Sequence, residues 1–136
     1  MKYLSTLAAI TLFLLISFIS GCDDTITSDD IDKRDIPETN VSFSKNLLPV
    51  FNLKCSSGQC HNTSYMAGGY SMETWTNVVQ AGIVNPGSPQ TSRLVWSIDA
   101  QYGFELMPPV GSPINPMTKE QIDGVFTWIA EGAKNN

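Results

Sequence analysis

The chain has 136 residues, 42% of them hydrophobic and 15% charged, with 13 acidic side chains against eight basic ones. The length fits one domain and is short for an enzyme with separate cofactor and substrate domains. A formal charge of −5 has the wrong sign for a protein that binds nucleic acid by displacing phosphate counterions, and one histidine with three cysteines excludes multi-histidine metal centres and four-cysteine zinc ribbons.

The first segment reads as an address. Lys2 is followed by an apolar run from Leu4 to Ile19, interrupted only by Ser and Thr, which stops at Ser20-Gly21-Cys22. That run is shorter than the ~20 residues a membrane-spanning helix needs. A basic start, a short apolar stretch and small residues before a break predict a secretory signal over 1–21. Ile19-Ser20-Gly21-Cys22 resembles the bacterial lipobox. The resemblance implies that Cys22 is lipidated, and that the exported chain is anchored to a membrane and faces the periplasm or the cell surface. An uncleaved anchor or a plain export signal is the alternative. Export places Cys55 and Cys60 in an oxidising compartment, where a disulfide and covalent cofactor attachment are both open.

Residues 22–40 comprise Cys22 and an acidic stretch. From Asp23 to Asn40 seven acids face two bases, with few large apolar side chains, which predicts a flexible, solvated tether. Residues 41–136 carry six acids and five bases and form the folded domain. They suffice for one modest core.

Within that domain four short helices are expected. Ser42 caps a first over 43–52, with Phe43, Leu47, Leu48 and Phe51 on one side and Pro49 as a kink or early stop. Ser71 caps a second over 72–80, which ends near Gly82. Ser88-Pro89 starts a third over 89–98. Thr118-Lys119-Glu120-Gln121 is a capping-box pattern for a fourth, which runs to about Gly132 and presents Ile122, Val125, Phe126, Ile129 and Ala133 to the core. No strand is expected, so the class is all-α. The Pro- and Gly-rich loop 99–117 is long for a small domain, as functional loops are.

Cys55-Ser56-Ser57-Gly58-Gln59-Cys60-His61 carries the chemistry. Two cysteines followed at once by histidine are what covalent haem attachment requires: each thiol adds to a vinyl group, and the histidine is placed under the iron. The common spacing leaves two residues between the cysteines. Here there are four, and Ser56, Ser57 and Gly58 are small and turn-prone enough to bulge outward. A local Cys55–Cys60 disulfide is the main competing reading, giving a stapled lipoprotein that binds a ligand or another protein. A zinc site lacks a fourth ligand. A low-spin haem needs a second axial ligand, and with one histidine the choice falls among Met66, Met72, Met107 and Met117. Met107 is favoured, because Pro108 and Pro109 hold it out of helical geometry and aim it from the long loop.

Residues 41–136 resemble a class I c-type cytochrome domain of the planctomycete type. The resemblance runs through Leu47-Leu48-Pro49-Val50-Phe51, the attachment motif, Gly68-Gly69-Tyr70-Ser71-Met72, Val84-Asn85-Pro86-Gly87-Ser88-Pro89, Ser92-Arg93-Leu94, Met107-Pro108-Pro109, Met117-Thr118-Lys119-Glu120-Gln121-Ile122 and Trp128-Ile129-Ala130-Glu131-Gly132-Ala133. It implies a small cytochrome c-like fold around one haem c, attached through Cys55 and Cys60, with His61 and Met107 as axial ligands. It also implies an electron carrier rather than an enzyme, working with redox proteins at the membrane. A haem peroxidase or gas sensor would need Met107 to dissociate. Tyr70, Trp75, Trp96, Tyr102, Phe104, Phe126 and Trp128 are candidates for apolar cover.

Overall fold

The computed structural model describes residues 26–136. The expected signal at 1–21 and Cys22 lie outside the described residues. Five helices follow one another: α1 (Ser28–Asp32), α2 (Leu48–Lys54), α3 (Trp75–Gln80), α4 (Arg93–Ile98) and α5 (Lys119–Ala130). No strand occurs among the described residues, in line with the all-α class expected. None of the described helices is long and apolar enough to cross a membrane.

Ser42 caps the first domain helix as expected, its side chain accepting from the Lys45 backbone N–H. The kink expected at Pro49 takes a particular form. Phe43–Leu47 wind as one wide π-turn, with Leu48 N–H donating to Phe43 O, and regular α2 winding begins only at Leu48. Pro49 then sits in the first turn of α2, where a missing N–H costs little.

Two starts differ from the sequence reading. α3 begins at Trp75, capped by Thr74, and not after Ser71. The Ser71 hydroxyl is engaged with Glu73, accepting from its N–H at 3.3 Å and donating to its carboxylate at 3.3 Å, and so the helix starts later. The expected helix over 89–98 is split into a 3₁₀ turn at Pro89–Thr91 and α4. Ser92 between them is extended, and its hydroxyl accepts from Asn85 N–H at 2.9 Å and donates to Ser88 O at 3.0 Å. This is the local side-chain competition with helix that serine offers.

α5 begins at the expected capping box, with Thr118 and Gln121 bonded reciprocally. Val125, Trp128 and Ile129 are fully buried. Phe126, placed on the core face by its spacing, is 38% exposed: it lies one step around from Val125, past the edge of the buried stripe. Trp128 takes the central role, with its ring 5.3 Å from that of Phe43.

The largest departure concerns the acidic segment. The stretch read as a solvated spacer contains α1, with a Thr27–Asp30 capping box, and Ile31 is 1% exposed within the core. Ile36 packs so closely on α5 that a Cβ added at Gly124 would lie 2.6 Å from its Cγ2. Lys54, only 2% exposed, is the reason this docking is specific. Its Nζ lies 2.6 Å from Asp32 Oδ1 and donates to Pro116 O at 2.7 Å. Gln121 Nε2 completes the network, donating to Ile31 O at 3.2 Å and Asp32 Oδ1 at 3.1 Å. Counting charges over the whole segment averages away Ile31, Ile36 and the one aspartate with a buried partner.

Breaking this pair from opposite sides is expected to give unequal losses. Asp32→Ala strands a buried ammonium and should cost about 2–4 kcal/mol. Lys54→Met leaves a carboxylate that water can reach and should cost about 1–2 kcal/mol. Urea-unfolding midpoints at unchanged m-value measure both.

Candidate cofactor site

α2 ends at Lys54, and Cys55 and Ser56 turn off it with both N–H groups donating to Phe51 O, at 2.8 and 2.9 Å. The widened stretch between the cysteines is a closed loop. His61 N–H donates to Cys55 O at 2.9 Å, Ser57 Oγ donates to Leu53 O at 2.7 Å, and Gly58 supplies the left-handed backbone (φ +60°) at the reversal. Asn62 staples it. Its Nδ2 donates to Ser56 O at 3.0 Å and Gly58 O at 2.6 Å, while its Oδ1 accepts from Ser64 and Tyr65 N–H at 3.0 and 2.9 Å. Sequence reasoning missed Asn62, whose only signal was its place directly after His61 in a run of turn formers.

His61 is held at every backbone group. Its carbonyl accepts from Met72 N–H at 2.7 Å and from Ser56 Oγ at 3.1 Å, in addition to the N–H bond just described. Its Nδ1 lies 2.7 Å from Ala67 O. A carbonyl can only accept, so Nδ1 carries the proton and Nε2 keeps its lone pair free for a metal. The imidazole stacks on Tyr70 at 4.4 Å and 10° between planes. Gly68 lets the chain pass this pair: at φ +66°, a Cβ there would lie 3.1 Å from the Tyr70 ring.

His61 forms one wall of a cleft of about 550 Å³, within the roughly 300–1,000 Å³ of ligand sites. Met107, Tyr70, Arg93, Ser97 and Phe104 line it too. A second, small cavity of about 30 Å³ adjoins it through Tyr70, Arg93, Ser97 and Met107, and is lined further by Cys55, Ile83, Leu94 and Ile98. Met107 is tied to α4 by its N–H, which donates to Ser97 O at 2.8 Å. Met107 lines both cavities, whereas Cys55 lines the small one and His61 the larger cleft. Cys60 is half-buried and lines neither cavity. Of the other methionines, Met72 and Met117 are core residues, and exposed Met66 lines a separate hollow.

The aromatic side chains divide by role. Tyr70, Tyr102 and Phe104 line the cleft, and Trp96 packs behind Phe104 at 5.2 Å. The Arg93 guanidinium lies 5.8 Å over the Phe104 ring. Trp75 and Trp128 bond to Ala133 O and Lys134 O, and Phe126 faces outward. Arg93 and Ser97 went unassigned in the sequence reading because one turn of α4 separates them, and only the fold shows which face of that helix meets the cleft.

Cys55 and Cys60 are both free thiols. Burial pushes the Cys55 thiol up to about 12, with Cys60 adding to the rise and Lys54 opposing it. Burial also raises the Tyr70 phenol, aided by Cys55 and opposed by Arg93. Both groups are neutral at physiological pH, which suits an apolar cavity. Because the folded Cys55 value lies above the ordinary 9.0, its contribution to stability is intact below pH ~9 and is lost as pH rises toward about 12.

Two outcomes follow for chain prepared without cofactor. Iodoacetamide at pH 8 should modify Cys60 well before Cys55, as read by peptide mass spectrometry, and equal rates would contradict the buried thiol. Asn62→Ala, which leaves the loop carbonyls without their donor, should cost about 1–3 kcal/mol in denaturant unfolding.

Residues 58–111 match the family model described as Planctomycete cytochrome C. The matched stretch contains Cys60, His61, Gly68, Gly69 and Met107, begins just after Cys55 and ends before α5. No curated protein and no solved structure matches the chain.

Proposed function

From the planctomycete-type cytochrome c domain that this match supports, we propose that the protein is a lipid-anchored monohaem c-type cytochrome that passes electrons between redox proteins at a membrane. Cys55 and Cys60 would hold haem c, His61 and Met107 would supply ligands to its iron, and Cys22 would carry the lipid. The single observation behind this reading is that Cys55 and His61 line adjoining cavities that share Met107, with His61 Nδ1 engaged by Ala67 O so that Nε2 is the nitrogen left to meet a metal.

The donor set fits the group. An imidazole nitrogen and a thioether sulfur are the neutral ligands that favour a high potential for haem iron. When bound, haem c supplies reversible one-electron exchange. The chain's own residues do the rest. Ala67 O fixes the His61 tautomer and ring orientation. Ser97 O holds the backbone of Met107. Tyr70, Leu94, Ile98 and Phe104 exclude water from the walls, and a less polar surround tunes the potential. With His61 and Met107 both engaged, the metal would offer no position to a substrate, and the group would supply electron exchange rather than bond chemistry.

Expression with a c-haem maturation system tests this directly. The purified chain should gain the mass of one haem, and its Soret absorption should survive denaturation. Met107→Ala should keep the haem, lose the methionine–iron charge-transfer band and bind carbon monoxide readily when reduced. Cys22→Ser should move the protein from the membrane fraction to the soluble fraction. A colourless product with Cys55 joined to Cys60 would overturn the haem assignment.

A further inference from the structure

α2 has two faces. Val50, Phe51 and Lys54 are buried in the core. Leu48 and Leu53 are half-buried at the edge of the core and, with half-buried Pro49 and exposed Asn52, Ile26 and Ser44, line a mainly apolar groove of about 320 Å³. Ile26 is 51% exposed. A groove of this kind at the surface of a small domain calls for an occupant.

The chain itself indicates which occupant. Only residues 23–25 separate Ile26 from Cys22. At no more than ~3.6 Å per residue, those four steps keep Cys22 within about 14 Å of Ile26. Ile26 is not at the far end of a free tether, because α1, which starts two residues later, is fixed by buried Ile31 and by the Asp32–Lys54 pair. A lipid on Cys22 therefore holds the bilayer beside this groove.

We propose that the groove formed by Ile26, Leu48, Pro49 and Leu53 is a membrane-docking face, seated in the interfacial region of the bilayer that receives the Cys22 lipid. The proposal rests on the lipid-anchor reading above and adds an orientation to it. Apolar side chains at that depth gain by leaving water, and Ser44 and Asn52 offer hydrogen bonds to headgroups. Charge does not drive the docking: Asp23 and Asp24 lie in the link itself, and exposed Asp29 and Asp30 on α1 offset exposed Lys33 and Lys45, so the apolar side chains supply the favourable contact. Docking fixes which side of the domain is turned from solvent, and α2 links that side to the attachment loop that begins at Cys55.

The test uses the full lipidated holoprotein in phosphatidylethanolamine–phosphatidylglycerol vesicles that contain a diazirine-bearing acyl lipid. After photolysis, mass spectrometry should find lipid adducts on Ile26 and within residues 44–53, several-fold above those on 102–111. Asn52→Glu, at an exposed position that does not endanger folding, and Leu53→Glu should each lower adducts in 44–53 several-fold, while the haem spectrum stays unchanged. Uniform adducts, or adducts confined to 102–111, would overturn the docking face. If the chain with native Cys22 does not partition with the vesicles, the anchor reading itself fails and the docking face fails with it. A chain retained by Cys22 but unlabelled at 44–53 refutes the docking face alone.

Discussion

A lysine ammonium removed from water must be paired or it destabilises the fold by several kcal/mol. Lys54 is such a group, and it stands one residue before Cys55. Its two partners come from distant parts of the chain: Asp32 from α1 and Pro116 O from the end of the long loop. Gln121 then ties the same aspartate to the start of α5. One desolvated charge thus brings together the N-terminal helix, the helix that runs into Cys55, the close of the loop that carries Met107, and the cap of the last helix. Buried side-chain polar atoms all find partners among the described residues, so this network is complete.

The site built on that frame combines a stiff backbone with an open cleft. His61 is fixed through its N–H, its carbonyl and its Nδ1, by groups from Cys55, Met72, Ser56 and Ala67. A side chain held this way is preorganised, as binding sites require. The two residues that widen the cysteine spacing do not loosen the arrangement. Asn62 converts them into a closed loop, with its amide N–H bonds directed inward to Ser56 O and Gly58 O.

Local chemistry made much of this legible in the sequence. The Ser42 and Thr118 caps and the absence of strands among the described residues follow from short-range signals. Competing side chains defeated the reading at Ser71 and Ser92, where hydroxyls that looked like simple caps bond elsewhere and move the helix starts. Composition defeated it in the acidic segment, because burial depends on individual residues such as Ile31 and not on a net charge. Arg93 and Ser97 join the cleft only through tertiary packing, which no periodicity in this chain encodes.

Trp75 and Trp128 donate their indole N–H groups to neighbouring carbonyls, those of Ala133 and Lys134. The third tryptophan, Trp96, bonds instead to Gln90 O. Fraying of the last few residues would release two indoles together and leave the third untouched. In the chain without a bound cofactor, the colour of intrinsic fluorescence would therefore separate loosening of the carboxyl-terminal residues from events near the long loop.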